Sequence, residues 1–136
     1  YDLVESCVSE IRAAGVDDLS FDILYGLPRQ TMPSFADTLD KVVALGPDRV
    51  SVFGYAHLPS AFPRQRMIEE RELPDSAMRA EMAELSDRRL AEAGFRRVGF
   101  DHYAKPASAL ARAASSGRLK RNFQGFADDP SHTILG

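Results

Sequence analysis

The sequence lacks the features that mark secreted, membrane-spanning or nucleic-acid-binding proteins. It contains a single cysteine, so an internal disulfide is excluded and a cytoplasmic location is expected. No apolar run approaches the roughly 20 residues that span a bilayer, and the chain does not open with a signal peptide. Its net charge of -3 gives no electrostatic attraction to nucleic acid or to an anionic membrane. We therefore expect neither as a partner.

The common local signatures of enzyme chemistry are missing as well. The sequence has no glycine-rich phosphate loop, no Cys-x-x-Cys, no His-Glu-x-x-His and no nucleophile elbow. Taken alone, the residues indicate no more than an α/β segment with a pocket at its strand ends.

The composition is that of a folded domain. A hydrophobic content of 44% with 27% charged residues is ordinary for a globular protein, and a chain of 136 residues is long enough to bury a core. The chain opens at Tyr1 inside a helical pattern and stops at Gly136 in an apolar run. We therefore expect an internal segment of a longer enzyme.

Two apolar runs that end alike carry most of the information about the fold. They are LSFDILYGLP at residues 19–28 and RVSVFGYAHLP at residues 49–59, and both end in a proline. An amphipathic helix pattern lies between them, with Thr31 as its N-cap and Gly46 after its end. The pattern predicts a β-α-β unit. Because ligands bind at the carboxyl ends of parallel strands, that edge is the expected functional edge.

The rest of the chain continues the alternation of helices and strands. Helices are predicted near residues 1–14, 76–93 and 108–116, a third strand at residues 95–100, and a loop-like tail at residues 118–136. The order predicts an α/β fold with a mainly parallel sheet. The first strand alternates little, which predicts burial on both faces. Cys7 falls in the apolar stripe of the first helix and is expected in the core.

Asp22 is the most informative single residue because it lies among apolar neighbours in the first strand. An isolated buried carboxylate is costly unless donors meet it. Asp22 either holds hydroxyl groups of a ligand or pairs with a nearby serine, arginine or backbone amide. Gly26 and Gly54 end the two strands and either admit a ligand close to the backbone or simply make a turn.

Histidines and a basic cluster supply further candidates. His57 and His102 follow the second and third strands, and with Asp22 they could form a two-histidine, one-carboxylate metal site. Hydrogen bonding, acid-base chemistry or a purely structural role are the alternatives for each histidine. Three basic residues could clamp substrate carboxylates or lie in a solvated loop. They are Arg118, Lys120 and Arg121.

Four strings give the chain a specific resemblance. They are DILYGLPRQT at residues 22–31, SVFGYAHLP at 51–59, DHYAKP at 101–106 and RNFQGF at 121–126. In this order and spacing they resemble the radical S-adenosylmethionine (SAM) enzymes of the oxygen-independent coproporphyrinogen III oxidase type. The first string also occurs in haem-chaperone-like paralogues, whereas the other three favour the oxidase. The resemblance covers essentially the whole chain.

The resemblance implies a fold and an activity. The fold is a partial TIM-like (β/α) barrel, of which residues 1–136 would be the later part, without the cluster-binding N-terminal part and the C-terminal domain. The family cleaves SAM reductively at a 4Fe-4S cluster, and the resulting radical leads two propionates of the porphyrinogen substrate to lose carbon dioxide. Coproporphyrinogen III thereby becomes protoporphyrinogen IX in haem biosynthesis.

The resemblance also assigns residues. Asp22 matches a carboxylate that contacts SAM, and Ala56 matches a position that contacts SAM through its backbone. Their neighbours Gly26, Tyr55 and His57 are further candidates for cofactor contacts. The cluster motif of three cysteines is absent, so this segment alone is expected to be inactive, with no metal ligands of its own. The alternative is a haem-binding or haem-trafficking paralogue in which His57 or His102 is an axial ligand.

Overall fold

The computed structural model describes residues 1–122 and 125–128. Its helices are α1 (Asp2–Ala13), α2 (Met32–Ala44), α3 (Ser76–Glu92) and α4 (Ala109–Ser115), with short 3₁₀ turns at Pro63–Met67 and Glu70–Glu72. Its strands are β1 (Ser20–Tyr25), β2 (Arg49–Gly54), β3 (Arg96–Gly99), β4 (His102–Ala104), β5 (Lys120–Asn122) and β6 (Gly125–Ala127). None of these helices is long and apolar enough to cross a membrane.

The predicted β-α-β unit is confirmed. Strands β1 and β2 pair in parallel over their full lengths, from Ser20 opposite Arg49 to Tyr25 opposite Gly54. Helix α2 connects them and begins at the predicted N-cap, where the Thr31 hydroxyl accepts a hydrogen bond from the Ser34 amide. A hydroxyl at this position satisfies an amide that has no partner within the helix.

The expectation of a mainly parallel sheet is wrong. The strand order is β1-β2-β4-β3, and β4 pairs antiparallel with both β2 and β3. The third predicted strand ends at Gly99, and Phe100 and Asp101 reverse the chain so that His102 begins a further strand. A two-residue turn of this kind joins adjacent antiparallel strands. The result is an α/β fold with a mixed four-stranded sheet.

One face of this sheet is covered by helices. Ile23, Val50 and Val52 point to that face and pack in a core with residues of α2 and α3, including Phe35 and Met82, which are fully buried. Alternation along a strand sends the intervening residues to the other face. We call the second face, with Asp22, Ser51 and His102 among its residues, the polar face.

The prediction that β1 is covered on both faces is therefore wrong. Leu24, on the polar face, is 44% exposed, and Asp22 is exposed as well. The short apolar run concealed the alternation because Leu24 is apolar although it faces outward.

A second layer covers part of the polar face. Helix α4 and the β5-β6 hairpin form a small cluster with Ala104, in which Leu110 and Ala111 are buried and Phe126 is partly buried. The sequence pattern predicted a loop over the tail, and this is corrected by the hairpin. Residues 129–136 of that tail lie outside the described residues.

The core role predicted for Cys7 is also wrong. Helix α1 has no buried residue, and Cys7 is exposed, as is Leu3 at 77%. The helix is attached by Arg12, which binds the Asp48 carboxylate at 2.6 Å and the Gly46 carbonyl at 3.1 Å. The apolar residues of α1 thus have the spacing of an amphipathic helix, but none of them is buried in this chain.

Candidate functional site

A row of polar side chains crosses the sheet from one strand to the next. Asp22 of β1 lies opposite Ser51 of β2, and Ser51 lies opposite His102 of β4. All three line a cleft of about 270 Å³ on the polar face, together with Arg49 and Phe126. Because paired residues on adjacent strands share a face, register alone assembles this row.

Asp22 lies in the middle of β1, three residues before the strand ends at Tyr25, and not at the strand end as expected. Among the described residues its carboxylate has no hydrogen bond or ion pair. Arg49, which also lines the cleft, forms an ion pair with Asp18 (Nε to Oδ1, 3.1 Å) without a hydrogen bond from Nε. The carboxylate is therefore available to a ligand, and the structural pairing considered for it is not observed.

Ala56 lies in the loop that follows β2. The Gln65 side chain holds this loop, since its amide donates to the Ala56 carbonyl at 3.0 Å and its oxygen accepts from the Leu58 amide at 2.5 Å. In the described part of the chain, the Ala56 amide has no acceptor. Ala56 is five positions beyond Ser51, the partner of Asp22. A single ligand reaching both would have to lie along the strand direction, spanning roughly 3.3 Å per residue.

Arg79 of α3 occupies the space above the carboxyl ends of β1 and β2. Its Nη2 donates to the Tyr55 carbonyl at 2.8 Å, and its guanidinium lies 5.8 Å from the centre of the Tyr25 ring. A Cβ at Gly26 would come within 2.5 Å of Nη1, and one at Gly54 within 3.3 Å of Nη2. Gly26 therefore admits Arg79, and Gly54 admits the Tyr25 hydroxyl, 3.0 Å from such a Cβ, together with Arg79. No pattern in the sequence pointed to this residue, because its position depends on how α3 packs on the sheet.

Gly26 also satisfies the turn requirement, since its φ of +81° is in the left-handed region. The turn is closed by Gln30, whose side-chain oxygen accepts from the Gly26 amide at 2.7 Å and from the Leu27 amide at 3.2 Å. Gly26 therefore both makes the turn after β1 and leaves room for the Arg79 guanidinium.

His57 is nearly buried and interacts within its own loop. Its Nδ1 lies 3.3 Å from the Tyr55 hydroxyl, and its Nε2 lies 4.0 Å from a Glu70 carboxylate oxygen. Asp22, His57 and His102 do not form a metal-binding group, since no set of three acidic, histidine or cysteine residues in the described ranges could hold an ion.

His102 is held between two aromatic rings. Phe53 and Phe126 both meet it edge to face, with centroid distances of 5.8 and 5.3 Å. Its Nδ1 is buried without a hydrogen bond, 3.6 Å from a carboxylate oxygen of Asp101. A Cβ at Gly125 would approach Nε2 to 2.7 Å, so the hairpin fits closely over the imidazole.

On the opposite face, Tyr103 anchors β4 to α3. Its hydroxyl donates a hydrogen bond to the Asp87 carboxylate. Burial, followed by this contact with a carboxylate, raises the pKa of Tyr103 well above its usual value. Tyr103 therefore stays neutral and fixes the strand from which His102 projects.

The three basic candidates are not gathered into one clamp. Arg118 donates to the Ser116 hydroxyl at 2.9 Å, and Lys120 and Arg121 are consecutive in β5, so their side chains point to opposite faces. Arg121 lies against the rings of Phe100 and Phe126. Phe123 and Gln124 of the same motif lie outside the described residues.

The fold and site define a class: an α/β sheet with α2 and α3 on one face and, on the other, a ligand-accessible polar cleft beside α4 and the β5-β6 hairpin. Comparison with known proteins makes this specific. An oxygen-independent coproporphyrinogen III oxidase from Cereibacter sphaeroides is 48% identical over all 136 residues, and one from Pseudomonas aeruginosa is 47% identical over 129 residues. The chain spans 30% and 28% of their lengths. No family model matches the chain.

A solved structure agrees with these relatives. The coproporphyrinogen III oxidase HemN from Escherichia coli, described as a radical SAM enzyme, matches with a TM-score of 0.90 and 39% identity, over 95% of this chain and 30% of that one. The chain is therefore homologous, along its length, to one segment of the oxygen-independent coproporphyrinogen III oxidases. The resemblance read from the four strings is confirmed, and the names of the relatives do not favour the haem-trafficking alternative.

Proposed function

We propose that this chain is part of a radical SAM enzyme that oxidatively decarboxylates coproporphyrinogen III to protoporphyrinogen IX. The observation that carries the proposal is the 48% identity, over all 136 residues, with a relative named for that activity. The enzyme would act in the cytoplasm within porphyrin biosynthesis.

The proposed architecture is a segment of an incomplete TIM-like barrel, with residues 1–136 as its later part. In such barrels the helices form an outer ring and the inward-facing side chains of the strands meet in the interior. Here α2 and α3 cover one face of β1 and β2, while the polar face bears Asp22 and Ser51. The position of these two helices supports an orientation in which the polar face, partly covered by α4 and the β5-β6 hairpin, lines the barrel interior. A regular barrel of this type has parallel strands throughout. The sheet departs from it because β4 is antiparallel to both of its neighbours.

Asp22 and Ala56 are the proposed SAM contacts. The Asp22 carboxylate suits the ribose hydroxyls, because charged acceptors make strong hydrogen bonds to O–H donors. The Ala56 amide can donate to an acceptor of the nucleoside. SAM is an elongated molecule, which matches the separation of these two positions along the strands. Gly26, Tyr55 and His57 would contribute by shaping the loops, since Arg79 already fills the space above Gly26.

The residues present do not fit the 4Fe-4S cluster. A cluster of this kind is held by several cysteine thiolates, and Cys7, the single cysteine, is exposed on α1. The cluster ligands would therefore come from outside residues 1–136. When bound, the cluster would supply the electron for SAM cleavage. The segment by itself should not turn over substrate.

The proposed substrate contacts are the basic residues of the tail. Coproporphyrinogen III carries four propionate carboxylates, and guanidinium and ammonium groups bind carboxylates through charge-assisted hydrogen bonds. Arg118, Lys120 and Arg121 are exposed and carry the required charge. Of the three, Arg121 is the one that lies against the aromatic rings of Phe100 and Phe126.

The test is the change Asp22→Asn in the full-length enzyme that carries this segment. Loss of a charged hydrogen-bond acceptor should weaken SAM binding about 10- to 100-fold, measured by isothermal titration calorimetry. Asp17→Asn is the matched control, since Asp17 is an exposed aspartate outside the cleft of Asp22. Formation of 5′-deoxyadenosine and release of carbon dioxide should fall in parallel. Unchanged affinity in Asp22→Asn would exclude Asp22 from the SAM site.

A further inference from the structure

Phe100 has an unusual backbone and an unusual position. It is one of two residues that reverse the chain between β3 and β4, its φ is +38°, and its side chain is 65% exposed. A bulky residue at positive φ is strained, and such strain is found where the surroundings impose it, often at functional sites. Neither burial nor turn geometry explains a phenylalanine here, because glycine would make the same turn without strain.

Arg97 holds Phe100 in this conformation. Its Nε donates a hydrogen bond to the Phe100 carbonyl, and its Nη1 lies 3.3 Å from an Asp87 carboxylate oxygen. The turn is thereby tied to α3. Arg97 is a positioning residue: it fixes the backbone from which the exposed ring projects.

The Phe100 ring is part of a stack. It lies nearly parallel to Phe126, with a centroid distance of 6.2 Å and an angle of 28°, and the Arg121 guanidinium is 5.1 Å from the Phe100 centroid. A Cβ at residue 99 would lie 2.5 Å from the Phe126 ring, so Gly99 permits this approach. In the described ranges, Arg121 has no carboxylate within ion-pair distance. Its charge is therefore available to a ligand.

These groups line a second cleft, of about 390 Å³, separate from the cleft of Asp22. Its residues are Tyr25, Arg97, Phe100, Asp101 and Arg121. Tyr25 ends β1, and β3, which leads into the turn, runs in the same direction as β1 and β2. The cleft therefore lies at the carboxyl edge of the sheet, where ligands of α/β proteins bind.

We propose that this rim cleft binds the porphyrinogen: a pyrrole ring lies against Phe100, a propionate carboxylate binds Arg121, and Asp101 accepts a pyrrole N–H. The inference rests on the proposed function and deepens it. Aromatic rings bind one another through stacked or edge-to-face contacts, which suits a pyrrole ring against Phe100. The charged and hydrogen-bonding groups of the cleft also match those of the substrate. The substrate offers carboxylates to the cation and N–H donors to the carboxylate.

The experiment uses the reconstituted full-length enzyme, with coproporphyrin III as the stable fluorescent probe. Phe100→Gly removes the ring and relieves the backbone strain, so it should leave the melting temperature unchanged or raised while weakening coproporphyrin binding about tenfold. Phe100→Trp should restore binding. The matched control is Phe62→Gly, because Phe62 is 57% exposed and lies outside the cleft. SAM affinity should be unchanged in all variants.

Arg121→Gln tests the carboxylate contact separately. It should weaken binding of coproporphyrin III about tenfold, and it should leave binding of the uncharged tetramethyl ester unchanged. In steady-state assays both Phe100→Gly and Arg121→Gln should raise KM for coproporphyrinogen III more than they lower kcat.

The outcomes separate the two proposals. If the unmodified enzyme cleaves SAM and consumes substrate but Phe100→Gly binds coproporphyrin III normally, the rim cleft is not the porphyrinogen site and only this inference fails. Equal loss of SAM and coproporphyrin binding in Phe100→Gly would assign a structural role and also overturn it. If the unmodified enzyme neither cleaves SAM nor binds coproporphyrin III, the proposed function itself fails.

Discussion

Replacing Gly26 with alanine tests how the carboxyl ends of β1 and β2 are held together. Gly26 has a φ of +81°, and an added Cβ would lie 2.5 Å from Nη1 of Arg79. The variant should suffer two separate effects. The left-handed backbone costs alanine about 1–2 kcal/mol, and Arg79 must move, which breaks its hydrogen bond to the Tyr55 carbonyl.

The size of the second effect follows from the contacts of Arg79. Its hydrogen bond to the Tyr55 carbonyl is 2.8 Å long and partly buried, and a bond of this kind contributes about 1 kcal/mol. Gly26→Ala should therefore lower the free energy of unfolding by about 2–3 kcal/mol. In an Arg79→Ala background only the strain remains, so the same change should cost about 1–2 kcal/mol.

The measurement is urea-induced unfolding followed by circular dichroism, for the unmodified protein, both single variants and the double variant. We expect a coupling energy of about 1 kcal/mol between the two positions. Gly15→Ala is the matched control, because Gly15 has a φ of +86° and no atom within 4 Å of an added Cβ. It should cost strain alone and show no coupling to Arg79. A Gly26→Ala cost that is equal in both backgrounds would refute the packing argument.

Two further predictions concern stability. The pKa of Asp48 is lowered because hydrogen bonds from the Leu19 amide and Arg12 outweigh the effect of burial, which alone would raise it. The stability that Asp48 contributes is therefore present above its unfolded pKa of about 4 and lost as the pH falls below it. Asp48→Asn should cost about 1–2 kcal/mol in unfolding free energy at pH 7 and progressively less below about pH 4; a deficit that does not change with pH would contradict this. Met82→Ala should lower the unfolding free energy by about 2–5 kcal/mol because Met82 is fully buried. The control Leu3→Ala, at a 77% exposed position, should have little effect on the urea midpoint. Equal effects of the two changes would contradict the assignment of the core.

The local parts of the fold were predictable because their signals are close together in the sequence. The Thr31 N-cap, for example, lies three residues from its partner Ser34. The β-α-β unit followed from two short apolar runs separated by one amphipathic helix. The strings at the strand ends also sufficed to recognise the family, which the relatives confirm.

What the sequence did not reveal depends on contacts between distant residues. Whether residues 101–104 continue as a loop or return as β4 depends on pairing with β2, about 50 positions earlier in the chain. The environment of Asp22 also depends on contacts between distant residues. Asp22 was expected to be buried at a strand end, and it is exposed in the middle of β1.

By itself, the sequence determined the helices, the first two strands and the identities of the polar residues, since propensity, capping and periodicity act within a few residues. Only the tertiary structure decided which of those residues meet. Register across β1, β2 and β4 brought Ser51 and His102 beside Asp22, and packing of α3 brought Arg79 over Gly26. Strand pairing and helix packing depend on surfaces formed by the whole chain, and a linear pattern does not contain them.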